Sequence, residues 1–257
     1  MSRVANYDRI AAKYDRRYEL YEYAGVKETL NAFLGDAATS VLEVGCGTGH
    51  WLAVARNAKA SAERPLVAGI EPSIEMLARA RLAAPSTRLT RGTAETLPFR
   101  DETFDRVYCV NALHHFRDRV RFFEEARRIL KPGGGLLSIG KDPHVERDVW
   151  WVYEYFPQAL DIDRQRFARV RTLRGELAAA GFTWAESFEC DHIEASRPAA
   201  EALATGIVDR AYTSQLTVLS DEEFDAGVAR IKDADAAAGG EQRLATDFYL
   251  YATIGWV

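Results

Sequence analysis

The chain has 257 residues, 47% of them hydrophobic, and a formal net charge of −5. That length suits one large α/β domain with insertions or two small ones, and the apolar content supports a buried core and excludes a disordered chain. The mild negative charge argues against a nucleic-acid partner, which wants a basic surface, and no apolar run is long enough to span a bilayer.

The N-terminus, "MSRVANYDRI", lacks the apolar stretch of a secretion signal. Residues 4–34 read as helical, in two pieces, with Tyr7, Ile10, Tyr14, Tyr18 and Tyr21 at spacings that place them on one packing face. "TSVLEV" (39–44) reads as the first strand, "WLAVARNA" (51–58) as a helix, "LVAGIE" (66–71) as a second strand and "SIEMLARARLAA" (73–84) as a second helix. "TRLTRG" (87–92) is a weaker third strand and "FDRVYCV" (104–110) a strong fourth. In "RVRFFEEARRIL" (119–130), Val120, Phe123, Ala126, Ile129 and Leu130 fall at helical spacing, and "KPGGG" (131–135) is expected to stop that helix before the strand "LLSIG" (136–140). Alternating strands and helices predict a doubly wound, mostly parallel sheet.

The second half is less regular. "TLRGELAAAGF" (172–182) reads as a helix, "TWAESFEC" (183–190) as a sixth strand and "FYLYATIGWV" (248–257) as the seventh. Two inserts, 142–171 and 192–242, separate them, and inserts of that length carry their own helices or a function. "DADAAAGGEQ" (233–242) is expected to be a surface loop. Cys46, Cys109 and Cys190 are odd in number and match no zinc spacing, so no metal is expected and the thiols point to a reducing cytoplasm.

The stretch that carries chemistry is "VLEVGCGTGH" (41–50). Three glycines at the end of a buried strand mean that something must approach the backbone closely. Gly45, Gly47 and Gly49 give G-x-G-x-G rather than the dinucleotide G-x-G-x-x-G, and no phosphate-binding lysine follows, which weighs against a phosphate cradle. Glu71 ends the second strand, where an acid can hold both hydroxyls of a ribose. The competing reading is a tight turn beside a capping acid.

The ordered set "VLEVGCGTGH", "GIEPSIEML", "GTAETLPF", "FDRVYCVNALHHF" and "ILKPGGGLLSIG" resembles the class I S-adenosylmethionine-dependent methyltransferases, most closely the small-molecule branch that includes quinone-biosynthesis C-methyltransferases. The resemblance covers about residues 38–141 and the final strand, and implies a seven-stranded Rossmann-like sheet with S-adenosylmethionine as cofactor. It implies that Gly45, Gly47 and Gly49 admit the methionine part, that Glu43 orients the amino group from beneath the turn, and that Glu71 holds the ribose. Ala94 and Glu95 would sit at the adenine, with Ile70 and Leu97 against the purine or in the core. The family often carries Asp where Thr93 stands here, a departure that leaves the bond to the adenine amino group open, with Glu95 the alternative acid. Asn111 would face the methionine ammonium, and Tyr14 would reach the cofactor from the N-terminal segment.

Methyl transfer is an in-line displacement from a good leaving group, so alignment and water exclusion supply up to about 7–11 kcal/mol of the barrier reduction. A base adds about 10²–10⁴-fold where the nucleophile must lose a proton. Tyr14, His114, His115 and His144 are the candidates, and each also reads as a packing or surface residue. In the first insert, "VWWVYEYFP" (149–157) offers Trp150, Trp151 and Tyr155 for an aromatic acceptor or for a packed helix, and Arg164, Arg166, Arg169, Arg171 and Arg174 for a carboxylate or for pairing with Asp161 and Asp163. The expected organisation is one domain over 1–257, with a helical cover (1–34) and substrate insertions (142–171, 192–242), acting as a monomer or homodimer on a small molecule, with neither nucleic acid nor membrane as partner. Two alternatives stay open: a non-catalytic cofactor- or partner-binding protein on the same fold, and a nicotinamide-dependent oxidoreductase.

Overall fold

The structure is a computed structural model and describes residues 14–59 and 65–257. Tyr7 and Ile10 of the predicted N-terminal row lie outside them. In chain order the elements are α1 (Arg16–Leu20), α2 (Ala24–Leu34), β1 (Ser40–Val44), α3 (His50–Ala58), β2 (Leu66–Glu71), α4 (Ile74–Ala83), β3 (Arg88–Arg91), β4 (Phe104–Val110), α5 (Arg119–Ile129) and β5 (Leu130–Gly140). Then come β6 (Val149–Trp150), α6 (Trp151–Tyr155), α7 (Pro157–Arg166), α8 (Val170–Ala179), β7 (Trp184–Pro198), α9 (Ala199–Ala204), α10 (Ser214–Thr217), α11 (Asp221–Ala237) and β8 (Arg243–Trp256).

Two compact units emerge. The larger holds Tyr23–Asp142, Ala168–Asp191 and Leu250–Val257, and the smaller holds the residues up to Glu22, Pro143–Phe167 and His192–Tyr249. In the larger unit the strand order is β3-β2-β1-β4-β5-β8, with β7 also paired to β8. The pairs from β3 through β5 are parallel, and β8 runs antiparallel to β5 with Gly135 opposite Trp256 and Gly140 opposite Tyr251. In the smaller unit β6 lies antiparallel to the first half of β8, Val149 opposite Asp247. This two-residue strand brings the total to eight among the described residues, one more than the seven expected.

Every residue of β1 is buried, as expected of a strand covered on both faces. Period-two alternation then divides its side chains. Leu42 and Val44 join Val107 and Cys109 of β4 and Leu136 of β5 in one cluster with Phe122, Phe123, Ala126 and Ile129 of α5 and Leu173 and Leu177 of α8. The residues between them, Val41 and Glu43 on β1 and Tyr108 on β4, point to the opposite face.

Three local expectations are corrected. Val120 is 43% exposed, and Phe122 turns inward in its place. A long aromatic gains more by burial than a valine, and the helix rotates to bury two adjacent rings. "KPGGG" does not lie outside the strand. β4 pairs Phe104 with Leu130 but Arg106 with Gly135, so residues 131–134 form a bulge inside β5, with Gly133 at φ 74°. "DADAAAGGEQ" is not all loop, because α11 runs to Ala237 from a capping box at Ser220 and Glu223 and stops before Gly239 and Gly240, both at positive φ.

The amino end of the sheet is held by one acid. Asp105 Oδ2 accepts from the Thr39 and Ser40 N–H groups at 2.9 and 2.8 Å and from the Ser40 hydroxyl at 2.7 Å, and Oδ1 accepts from Lys131 Nζ at 2.8 Å. Burial alone would raise its pKa, but the Lys131 ammonium, the Ser40 hydroxyl and the two N–H groups reverse this and hold it well below the ordinary 3.8. A depressed carboxylate adds stability that is complete above 3.8 and is lost as pH falls toward the depressed value. Asp105→Asn is expected to cost about 1.5–3 kcal/mol in urea unfolding at pH 7. The variant should also lose stability less steeply below pH 4 than the parent, and equal acid limbs would place the acid sensitivity on other groups.

Candidate functional site

β1 stops at Val44 and the chain turns through Gly45, Cys46, Gly47, Thr48 and Gly49 into α3. All three glycines are left-handed, at φ 74°, 51° and 85°, a region costly for a residue with a Cβ. The turn folds back on β2, with Gly45 and Cys46 both donating to the Ile70 carbonyl at 2.8 and 3.1 Å. Space is short as well. A Cβ on Gly45 would lie 2.7 Å from the Ala112 Cβ, and one on Gly49 2.8 Å from the Ala80 Cα on α4.

Glu71, 7% exposed, ties this turn to the next one. Its Oε2 accepts from Gly47 N–H at 3.2 Å and its Oε1 from Ser73 N–H at 3.1 Å. Ser73 in turn caps α4 by accepting from Met76 N–H at 3.1 Å. These two bonds orient the carboxylate between the two turns.

Glu43 is opposite Gly69 of β2 and Tyr108 of β4, and is 1% exposed. The Tyr108 hydroxyl lies 3.3 Å from Glu43 Oε2 and 3.3 Å from the Trp51 carbonyl. Burial pushes the Glu43 carboxyl well above its ordinary range, the Tyr108 hydroxyl opposes that rise, and the Glu71 charge adds to it. Sequence reasoning passed over Tyr108. The signal was a phenol in a strand whose centre is otherwise apolar, at the register position of the only acid in β1.

Of the other predicted cofactor contacts, Asn111, Ala94 and Glu95 lie on loops of the same unit. Asn111 follows β4 at φ 51°, a conformation asparagine tolerates, and donates its N–H to the Ile139 carbonyl at 2.8 Å. Ala94 is buried in the turn bridged by Thr93 and Thr96. Glu95 Oε1 accepts from Arg117 N–H at 2.6 Å and anchors the loop before α5. Ile70 and Leu97 are core residues. His114 and His115 sit on a single 3₁₀ turn with their rings 3.8 Å apart.

In the smaller unit Tyr14 is buried, and His144 Nε2 lies 3.3 Å from the Phe167 carbonyl. Trp150, Trp151 and Tyr155 are each at most 6% exposed. The Trp151 ring packs on Tyr212 at 5.6 Å and that of Trp150 on Phe248 at 5.4 Å. Arg166 pairs with fully buried Asp163, which also accepts from the Tyr153 hydroxyl and Gln215 Nε2 at 2.7 Å each. Arg164, Arg169, Arg171 and Arg174 are exposed. Among the described residues no cluster of His, Cys, Asp or Glu is placed to hold a metal ion, and no helix is long and apolar enough to cross a membrane.

Gly49→Ala is expected to cost about 1–3 kcal/mol, since it combines a left-handed backbone with a clash against helix backbone. Gly175→Ala in α8 has open space and ordinary φ, and should stabilise by about 0.5–1 kcal/mol. Urea unfolding of the two variants checks both signs.

Comparison with known proteins places this geometry in context. Residues 42–138 match the methyltransferase domain family. The chain is 31% identical over 177 residues to a demethylmenaquinone methyltransferase of Lactiplantibacillus plantarum, covering 63% of this chain and 72% of that one. It is 30% identical over 155 residues to a demethylmenaquinone methyltransferase of Thermotoga maritima, covering 58% and 66%. The fold also matches the crystal structure of a putative methyltransferase from an antibiotic biosynthesis pathway of Anabaena variabilis, with a TM-score of 0.66 and 21% identity over 88% of this chain and 96% of that one.

Proposed function

Because the chain belongs to the class I S-adenosylmethionine-dependent methyltransferases, we propose that it methylates a small-molecule acceptor by alignment, with the larger unit holding the cofactor and the smaller unit recognising the acceptor. The observation that carries the cofactor assignment is the turn after β1. Its backbone is bare at Gly45, Gly47 and Gly49, and Glu71 is already oriented by two N–H groups beside it. A ligand can lie against this backbone where no side chain intervenes, with a carboxylate at hand for vicinal hydroxyls. S-adenosylmethionine supplies a sulfonium that makes its methyl group transferable.

On this reading Gly45, Gly47 and Gly49 admit the methionine part, Glu71 takes the ribose hydroxyls, Ala94 and Glu95 lie at the adenine, and Asn111 and Glu43 meet the amino-acid end. Tyr14 contributes from the N-terminal segment. The smaller unit, built from residues up to Glu22 and from the two insertions, has its own aromatic core, and this supports a defined acceptor-recognition module rather than slack loops. The named relatives act on demethylmenaquinone, which supports a small-molecule acceptor for this chain. The proposed location is the cytoplasm, supported by three free thiols.

Isothermal titration is expected to show binding of S-adenosylmethionine and S-adenosylhomocysteine with no comparable binding of NAD. Glu71→Ala should weaken it by about 1–3 kcal/mol, the scale of hydrogen bonds to a charged group. Tight NAD binding with no response to the methyl donor would overturn the assignment. Hydrogen exchange should slow across 143–167 and 192–249 on binding of S-adenosylhomocysteine, and protection confined to the glycine turn would remove the recognition role from those segments.

Alignment needs no dedicated base. Single substitutions of Tyr14, His114, His115 and His144 are therefore each expected to leave measurable turnover, Tyr14→Phe being the mildest and His115→Ala acting through packing. A fall of about 10³-fold in one variant, with unchanged cofactor affinity and loss of one limb of the pH profile, would identify a general base instead.

A further inference from the structure

We propose that Tyr108 is a positioning residue whose hydroxyl lets Glu43 stand with or without its proton, so that S-adenosylmethionine binding releases a proton from Glu43. The inference rests on the cofactor reading above and adds a property of the site to it.

The geometry is that of a hydroxyl with two acceptors in reach. Tyr108 is 0% exposed, and its oxygen is equidistant, at 3.3 Å, from Glu43 Oε2 and from the Trp51 carbonyl. With Glu43 protonated, its O–H donates to the Tyr108 oxygen, and the phenol donates onward to Trp51. One chain of bonds then runs from the carboxyl through the phenol to the Trp51 carbonyl. With Glu43 ionised, the phenol turns its proton to the carboxylate. Neither arrangement leaves a buried donor idle, a condition that buried polar groups must meet in any state they populate.

The surroundings decide which arrangement the free protein adopts. From the turn, Cys46 faces Glu43. From β2 comes Glu71, and from β4 come Tyr108 itself and, two residues lower on the same face, Arg106. The Arg106 guanidinium is bonded to the Phe33 and Asp105 carbonyls and lies over Trp256. α3 brings His50, against the Trp51 ring at 4.7 Å, and Tyr23, just before α2, lies against the same ring at 6.1 Å. Burial pushes the Cys46 thiol and the Tyr108 phenol up, so both keep their protons and Glu43 is the group left to titrate. Among the described residues Glu43 has no ion pair. A buried charge without one is costly, and the neighbouring Glu71 charge adds to that cost. Because its folded-state pKa lies above the ordinary 4.5, the free protein holds a proton here that the unfolded chain does not, and this contribution to stability declines as pH rises through that interval.

A cation at the glycine turn reverses the balance. Glu43 is the penultimate residue of the strand on which the turn is built, and a sulfonium or ammonium held there favours its charged form. The carboxylic acid becomes a carboxylate, its proton passes to the buffer, and Tyr108 keeps its own proton while redirecting it from Trp51 to Glu43. No other bond changes.

The test is calorimetric titration of the full chain with S-adenosylmethionine, without acceptor, in two buffers of different ionisation enthalpy. At pH values below the Glu43 transition the heats should differ by an amount equal to release of up to one proton, falling toward zero as pH is raised past that transition. Tyr108→Phe should still bind, about tenfold more weakly, with the release largely lost. A merely structural tyrosine would change affinity and leave the proton count alone. Glu43→Gln, which keeps the shape and cannot titrate, should abolish the release, and it carries the test if Tyr108→Phe does not fold. Buffer-independent heats in the parent chain at every pH where it stays folded, with binding intact, overturn the proposal. Failure to bind S-adenosylmethionine at all overturns the cofactor reading, and the proposal with it.

Discussion

One carboxylate joins the two turns on which the candidate site depends. Glu71 ends β2 and accepts from Gly47 on one side and Ser73 on the other. The glycine turn is thereby held in left-handed geometry by a partner, and is not merely permitted it. The turn in turn closes on the Ile70 carbonyl, one residue before Glu71. Two successive strand ends therefore hold each other through backbone atoms, and a side chain at Gly45 or Gly49 would intrude on their neighbours. Glu71 is therefore a structural residue of both turns, and its orientation is set by their backbone.

The two faces of the sheet have opposite electrostatic characters. One is a continuous apolar cluster from β1, β4 and β5 to α5 and α8. On the other, alternation delivers Glu43 and Tyr108 side by side. Such a pair is expensive in a dry interior, and mutual hydrogen bonding is the condition for keeping it there. Apolar packing holds the strand register, and the register brings the two polar groups within reach of each other. A slip by one residue would send Glu43 into the apolar cluster.

The smaller unit uses its aromatic residues differently from a bare binding wall. The rings of Trp150, Trp151 and Tyr155 form its core, and the Asp163 carboxylate is satisfied by Tyr153, Gln215 and Arg166. A buried acid with three donors costs little, whereas loss of one donor would leave charge unbalanced in a low-dielectric interior. The segment is thus a folded module with specific polar contacts, and its insertions carry structure of their own.

The sequence by itself determined the strand and helix order through β5, because apolar runs, glycine punctuation and helical spacing are local properties of the chain. β4 matches its expected range, and so does β2. It also marked the glycine turn and Glu71, since three glycines after a buried strand have few other uses. Only the tertiary structure decided that "KPGGG" becomes a bulge in β5, that Phe122 turns inward while Val120 faces out, and that β6 adds a strand. These outcomes depend on what lies across the sheet or above the helix, and no window of sequence contains that neighbour. The partnership of Glu43 with Tyr108 spans 65 positions and exists because parallel register places them opposite each other. Register is a relation between strands, so it becomes visible only when the strands are paired.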